Sequence, residues 1–201
     1  MKIAVLASGS GTNLQNLIVQ LHNDKNCHIE IVVVISDRKN AYALQRAKRA
    51  GIPQEIIRSQ DFKNRVEFDA VIAKKIQDYS VDLIVLAGYM KLFQPPFVRQ
   101  FQNRIINIHP SLLPAFPGAN AVADTLAYGV KISGVTVHFV DEGVDTGPII
   151  AQAAVPVYYD DDEETLHQRI QIEEHKLYPE VIKNYAQGRI KIQDHKVVTT
   201  N

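Results

Sequence analysis

Short apolar runs alternate with longer amphipathic segments along almost the whole chain. Ile3-Ala4-Val5-Leu6-Ala7 is the first such run and gives way at once to serines and glycines. Continuous runs of this kind fit strands buried on both faces, and their alternation with amphipathic stretches fits a parallel sheet with crossover helices. The pattern predicts strands over Ile3–Ala7, Ile29–Ile35, a short one near Glu55–Ile57, Leu83–Ala87 and Arg104–Ile108. Between the first four it predicts helices over Asn13–His22, Ala41–Ala50 and about Asn64–Tyr79. Pro95, Pro96, Pro110, Pro114 and Pro117 confine their stretches to loops or helix starts. Val135–Val140 and Ile149–Val157 predict two further strands joined by a turn. In the first of these, Val135, Val137 and Phe139 alternate with Thr136 and His138, which predicts a two-sided strand. Glu163 to about Ala186 predicts a long closing helix, and the tail after Gly188 reads as peripheral. The expected class is α/β: a mostly parallel sheet with helices on both faces, ending in a strand pair and a long helix.

Composition narrows this picture. A chain of 201 residues, 46% hydrophobic and 22% charged, fits one domain with a real core. No repeat, low-complexity stretch or linker divides it, so residues 1–201 are expected to form a single domain. Lys+Arg and Asp+Glu number 22 each, so no bulk charge recruits nucleic acid or an anionic membrane. Cys27 is the only cysteine, which excludes an intramolecular disulfide and argues against a cysteine-based metal site. The leading apolar run is too short for a membrane span and lacks a signal-peptide cleavage region, so a cytoplasmic protein is expected.

The first candidate chemistry is the loop Ser8-Gly9-Ser10-Gly11-Thr12-Asn13 between the first strand and helix. Glycines let the backbone approach a ligand closely, and the helix start turns N–H groups and its positive dipole end toward an anion. Leu14 stands where a dinucleotide fingerprint needs its third glycine, and no Gly-Lys-Ser/Thr follows. A loop suited to one phosphate monoester remains, beside the plainer reading of a strand-to-helix turn capped by Thr12.

The second candidate is Asn107-Ile108-His109-Pro110. Asn107 and His109 are two apart on a predicted strand and so share a face, at the carboxyl end where parallel sheets bind ligands. An amide can donate to an oxyanion and an imidazole can donate or shuttle a proton, a pairing suited to acyl transfer. Ser111 lacks a nucleophile elbow and Cys27 is distant in sequence, so the attacking group is expected to be the substrate itself. Asp145, among small residues in Asp141-Glu142-Gly143-Val144-Asp145-Thr146-Gly147, is the candidate carboxylate to orient His109 and take up a proton. Each residue also has a plainer reading: a hydrogen-bonded strand-end histidine, an asparagine capping a turn, a solvated acidic loop. His109, His138, Asp141 and Asp145 match no zinc spacing, so no metal is expected.

Five ordered motifs carry a resemblance to a known family. They are Ser8-Gly9-Ser10-Gly11-Thr12-Asn13-Leu14-Gln15, Leu86-Ala87-Gly88-Tyr89-Met90, Asn107 to Pro114, Gly134 to Pro148, and Glu174-His175-Lys176-Leu177-Tyr178-Pro179. From Met1 to about Gly188 the chain closely resembles the glycinamide ribonucleotide formyltransferases, folate-dependent one-carbon transferases of purine biosynthesis. The resemblance implies a Rossmann-like, formyltransferase-type fold. It implies a phosphate-binding, substrate-binding N-terminal half and a folate-binding, catalytic C-terminal half. It implies that Gly11, Thr12 and Asn13 hold the substrate phosphate and Glu174 the ribose hydroxyls. Arg65, Met90, Lys91, Leu92, Phe93, Asn107, Asp141 and Val144 are implied on the folate side. Asn107, His109 and Asp145 are implied as the catalytic triad, with the amine of glycinamide ribonucleotide attacking the formyl carbon of 10-formyltetrahydrofolate and no metal taking part. The implied partners are these two small molecules, with no nucleic acid and no membrane; a homodimer is compatible with it.

One segment departs from the family pattern. Where relatives often carry Ala-His-Glu-Gln, this chain has Ala119-Asn120-Ala121-Val122-Ala123-Asp124, which puts folate contacts and loop ordering there in doubt. Two related enzymes share the triad. A 10-formyltetrahydrofolate hydrolase usually has an additional N-terminal domain, and a methionyl-tRNA formyltransferase needs a C-terminal domain and usually a basic surface. From a different class, a nucleotide-binding oxidoreductase is disfavoured by the missing glycine, and a non-catalytic binding module has no need of Asn107, His109 and Asp145 together.

Overall fold

A computed structural model describes residues 1–200. The elements run in the order β1 (Lys2–Leu6), α1 (Thr12–Leu17), β2 (Glu30–Ser36), α2 (Tyr42–Arg49), β3 (Gln54–Ile56), α3 (Arg65–Asp78), β4 (Leu83–Leu86), α4 (Pro95–Gln100), β5 (Ile105–His109), α5 (Ala121–Tyr128), β6 (Ile132–Phe139), β7 (Ile149–Pro156), α6 (Glu163–Ala186), β8 (Ile190–Gln193) and β9 (Lys196–Thr199). Seven strands form one sheet in the order β3-β2-β1-β4-β5-β6-β7, and β8 and β9 form a separate pair. The chain divides into two compact units, Met1–Ile106 and Asn107–Asn201, with the division inside β5.

In the first unit, β1 pairs in parallel with both β2 and β4, and β2 pairs in parallel with β3. Ile3 to Ala7 and Leu83 to Val85 are wholly inaccessible to solvent, as continuous apolar runs require of central strands. The predicted first helix is interrupted. Its α-helical part ends at Leu17 and Ile18–His22 is a π-helical turn, closed by the Asn23 N–H donating to the Ile18 carbonyl at 3.0 Å. Neither glycine nor proline marks that change, so apolar spacing could not reveal it. Asn64 caps α3 by accepting from the Glu67 N–H.

In the second unit, β6 and β7 are antiparallel. Ser133 to Phe139 are all buried, so β6 is two-sided in chemistry but not in exposure. Thr136 is tolerated there because its hydroxyl donates to the Ser111 carbonyl at 2.7 Å and accepts from the Leu113 N–H at 3.0 Å. The closing helix α6 begins in a reciprocal capping box between Asp162 and Thr165, with Glu163 and Glu164 in its first turn. The tail read as peripheral is a hairpin, with Asp194 at φ +55° in its turn. Among the described residues no helix is long and apolar enough to cross a membrane.

Candidate active site

In the second unit, β5 presents Asn107 half-buried and His109 almost wholly buried. Pro110 ends the strand, and the chain turns back through Ser111 to Gly118. Ser111 Oγ donates to the Ala115 carbonyl at 2.6 Å, and Phe116 adopts φ +53°. This turn directs the Phe116 carbonyl at His109, whose Nε2 donates to it at 2.8 Å. The other ring nitrogen, Nδ1, lies 3.4 Å from Asp145 Oδ2. Both nitrogens of His109 therefore face oxygen acceptors, and a ring protonated on both satisfies the two together.

Asp145 reaches this position on a tightly built loop. Asp141 Oδ1 accepts from the Gly143 N–H at 3.0 Å and from Thr146 Oγ1 at 2.7 Å, which folds the loop on itself. Asp145 takes up φ +55°, and a Cβ on Gly147 would lie 1.9 Å from the Phe139 carbonyl oxygen. Only glycine fits there. The Gly118 N–H donates to Asp145 Oδ2 at 2.8 Å. On its other side Asp145 Oδ1 is 3.6 Å from His138 Nε2, and that nitrogen is 3.2 Å from Asn107 Nδ2. His138 links the carboxylate to the amide. Sequence reasoning weighed His138 only as a metal ligand; a polar residue on the apolar strand Val135–Phe139 was the signal available.

The first unit holds the glycine loop. Gly11 has φ +69°, and a Cβ there would lie 2.7 Å from that of Ala43. Helix α2 packs tightly on the loop at this point. The Ala43 N–H donates to the Gly9 carbonyl at 3.1 Å and Arg46 Nε to the Ser10 carbonyl at 2.9 Å. Gly11, not Thr12, occupies the cap position of α1, and no side chain caps it. This unit also contains Arg65 and Met90 to Phe93. The Arg65 guanidinium donates to the Leu92 carbonyl, and the Met90 N–H donates to Ser8 Oγ at 2.9 Å. Met90 and Leu92 are exposed while Phe93 is buried and stacked on Phe97. Below them Asp69 accepts from the Gln94 N–H at 2.7 Å, and burial raises its pKa despite that bond and the Arg65 charge.

A model of the formyl transferase family matches residues 1–182. The chain belongs to the formyl transferase family. It is 45% identical over 194 residues to the phosphoribosylglycinamide formyltransferase of Haemophilus influenzae, covering 96% of this chain and 91% of that protein. It is 47% identical over 188 residues to the trifunctional purine biosynthetic protein adenosine-3 of Drosophila melanogaster. The match covers 93% of this chain and 14% of that longer relative. The crystal structure of glycinamide ribonucleotide transformylase 1 from Symbiobacterium toebii superimposes with a TM-score of 0.97 at 49% identity, covering 100% of this chain and 94% of that one.

Within this formyl transferase, Val144 is exposed on the Asp145 loop, and Glu174 is buried on α6. Asp141 uses one carboxylate oxygen, Oδ1, in the hydrogen bonds that fold the loop. Burial pushes the Asp145 pKa up, but this is outweighed by the hydrogen bond from His138, the Gly118 N–H and the charges of His109 and His138, leaving it below the usual value of 3.8. A depressed folded-state pKa means the unfolded chain binds the proton more tightly. The stabilisation is complete above the unfolded value of about 4 and is lost as pH falls through the folded one. We expect urea unfolding to show that the advantage of the native chain over Asp145→Asn shrinks steadily below about pH 4. An advantage independent of pH down to about 2 would contradict the depressed pKa.

Proposed function

We propose that this chain transfers the formyl group of 10-formyltetrahydrofolate to the amine of glycinamide ribonucleotide, giving formylglycinamide ribonucleotide and tetrahydrofolate in purine biosynthesis. The observation that carries the reading is a carboxylate set between two imidazoles and linked to an amide. The Ser111 hydroxyl is wholly buried and committed to the Ala115 carbonyl, so it is not available to attack. The substrate amine must then form the new C–N bond, and the old bond to folate nitrogen breaks as the tetrahedral intermediate collapses. The names of the similar proteins agree with this chemistry.

The roles follow from donor and acceptor capacity. Asn107 has N–H groups and protonated His109 a ring N–H to offer the oxyanion, His109 by giving up its bond to Phe116. Asp145 supports the charge on His109 and accepts the proton that the amine loses. The folded-back loop and the Gly118 N–H hold that carboxylate ionised and oriented. In the first unit, the backbone at Gly11, Thr12 and Asn13 suits a phosphate monoester, since it opens helix α1 with no side chain bonded at its cap. Exposed Met90 and Leu92 beside Arg65, with Lys91 and Phe93, suit the ring system and carboxylates of a reduced folate. In the second unit, Asn107, Asp141 and exposed Val144 are assigned to the folate. Glu174 is assigned to the ribose hydroxyls. A cytoplasmic location and small-molecule partners complete the reading, which the balanced charge supports.

The test uses the purified chain with 10-formyltetrahydrofolate, with and without glycinamide ribonucleotide. Tetrahydrofolate release is expected to depend on the amine and to match formylated product one for one. Release at the same rate without the amine identifies a hydrolase, and no release under either condition removes the catalytic assignment.

A further inference from the structure

Asn107 is useful to an oxyanion only if its NH2 end faces the right way. The two ends of a carboxamide are almost the same size, so its neighbours decide which end points where. The decisive neighbour is His138. Its Nδ1 lies 2.9 Å from the Phe139 carbonyl oxygen, and a carbonyl only accepts, so Nδ1 carries a proton. In the neutral ring Nε2 is then a bare lone pair, and it lies 3.2 Å from Asn107 Nδ2 and 3.6 Å from Asp145 Oδ1. A lone pair facing a carboxylate gains nothing from it, but it can accept an N–H from the amide. One hydrogen of the Asn107 NH2 group is thereby fixed on His138, and the geometry of the planar amide fixes the direction of the second. The ring itself is 2% exposed, so water does not compete for Nε2.

We infer that His138 is a positioning residue: in its Nδ1-protonated neutral form it locks the Asn107 amide with one N–H on the imidazole and the other available to the developing oxyanion. Without the acceptor, the amide is free to turn its oxygen into the site, where it repels the oxyanion. Asp145 in turn is held by the Gly118 N–H at 2.8 Å and faces His109 Nδ1 at 3.4 Å, so His138 Nε2 is left to the Asn107 amide. The inference rests on the formyl-transfer reading for its catalytic meaning, but the tautomer is a property of the folded chain alone.

Two measurements test it. Long-range proton–nitrogen correlation spectra of the full chain, with its histidines labelled with nitrogen-15, at about pH 8, should show His138 protonated on Nδ1 and bare on Nε2. Protonation on Nε2 overturns the inference whatever the activity. Kinetically, His138→Leu is expected to lower kcat about 10–100-fold with KM for both substrates within about threefold, the pattern of an interaction made in the transition state. His138→Gln, whose carbonyl can accept the same N–H, should recover kcat to within about fivefold of the native chain. The Asn107→Ala/His138→Leu double variant should be no more than about twofold slower than Asn107→Ala, because the two act as one unit. A glutamine variant as slow as the leucine one, or losses that multiply, also overturns it. If His138→Leu does not fold, the tautomer in the native chain decides alone. A native chain with the Nδ1–H tautomer and no amine-dependent transfer removes the functional reading and leaves the positioning intact.

Discussion

His109→Ala is expected to lower kcat by about 10²–10⁴-fold, the span that a positioned acid or base contributes. The imidazole is 4% exposed and lies between the Phe116 carbonyl and Asp145, which fixes the ring in place for proton transfer. The variant also leaves the half-buried Phe116 carbonyl with only the longer bond from Ser111 Oγ, 3.3 Å, and Asp145 without one neighbouring imidazole, which costs about 1 kcal/mol of stability. That is a fraction of a domain's stability, so the chain should still fold. Asp145→Asn should produce a comparable fall in kcat while keeping shape, since an amide neither takes up the proton nor supports an imidazolium. The check is tetrahydrofolate release under saturating substrates, together with Tm for each variant. Turnover within about fivefold of the native chain in either variant, in a folded protein, would end the catalytic role given to that residue.

The second large effect is expected from a single methyl group. Gly147→Ala places a Cβ 1.9 Å from the Phe139 carbonyl oxygen, 2.9 Å from its carbon and 3.2 Å from the Asp141 nitrogen. All three are backbone atoms, so no side chain can swing aside. Next to them the Phe139 N–H donates to the Pro148 carbonyl at 2.9 Å, a bond that has to lengthen if the loop shifts. Overpacking of this kind costs about 1–3 kcal/mol and sometimes more. The relief is a displacement of the loop that carries Asp145, and misplacement by about 1 Å can cost about 10²-fold in rate. We therefore expect Gly147→Ala to lose both stability and at least about 10²-fold in kcat. Gly9→Ala serves as the stability control, because a Cβ there meets nothing within 4 Å. If urea unfolding of Gly147→Ala matches that of Gly9→Ala, the tight approach at Gly147 is not a constraint on the fold.

The contrast between the two residues that flank Asp145 shows where reading the chain succeeds and stops. Asn107 and His109 share a strand, so their spacing alone placed them on one face, and a proline right after them marked the strand's end. Asp145 lies far along the chain on a loop, and its choice over Asp141 and Glu142 rested on small neighbours and then on family motifs. The coordinates separate these acids by what they bond. Asp141 Oδ1 accepts from Gly143 and Thr146, whereas Asp145 meets two imidazoles. His138 was weighed only as a metal ligand for the same reason: on its own strand it reads as the polar side of an alternation, and only burial of both faces of β6 shows that it needs a partner.

The succession of elements, the class of the sheet, the residues at the carboxyl end of β5 and, through ordered motifs, the family are legible in the order of the amino acids. These are encoded locally, in apolar period, proline and glycine placement and contiguous residue patterns. Folding in three dimensions is what sets α1 running on into a π-helical turn, makes the tail a hairpin, locks Ser111 away, and closes His109 and His138 on one carboxylate. Those outcomes depend on hydrogen bonds between residues distant along the chain and on a backbone approach measured in tenths of an ångström, which no periodicity records.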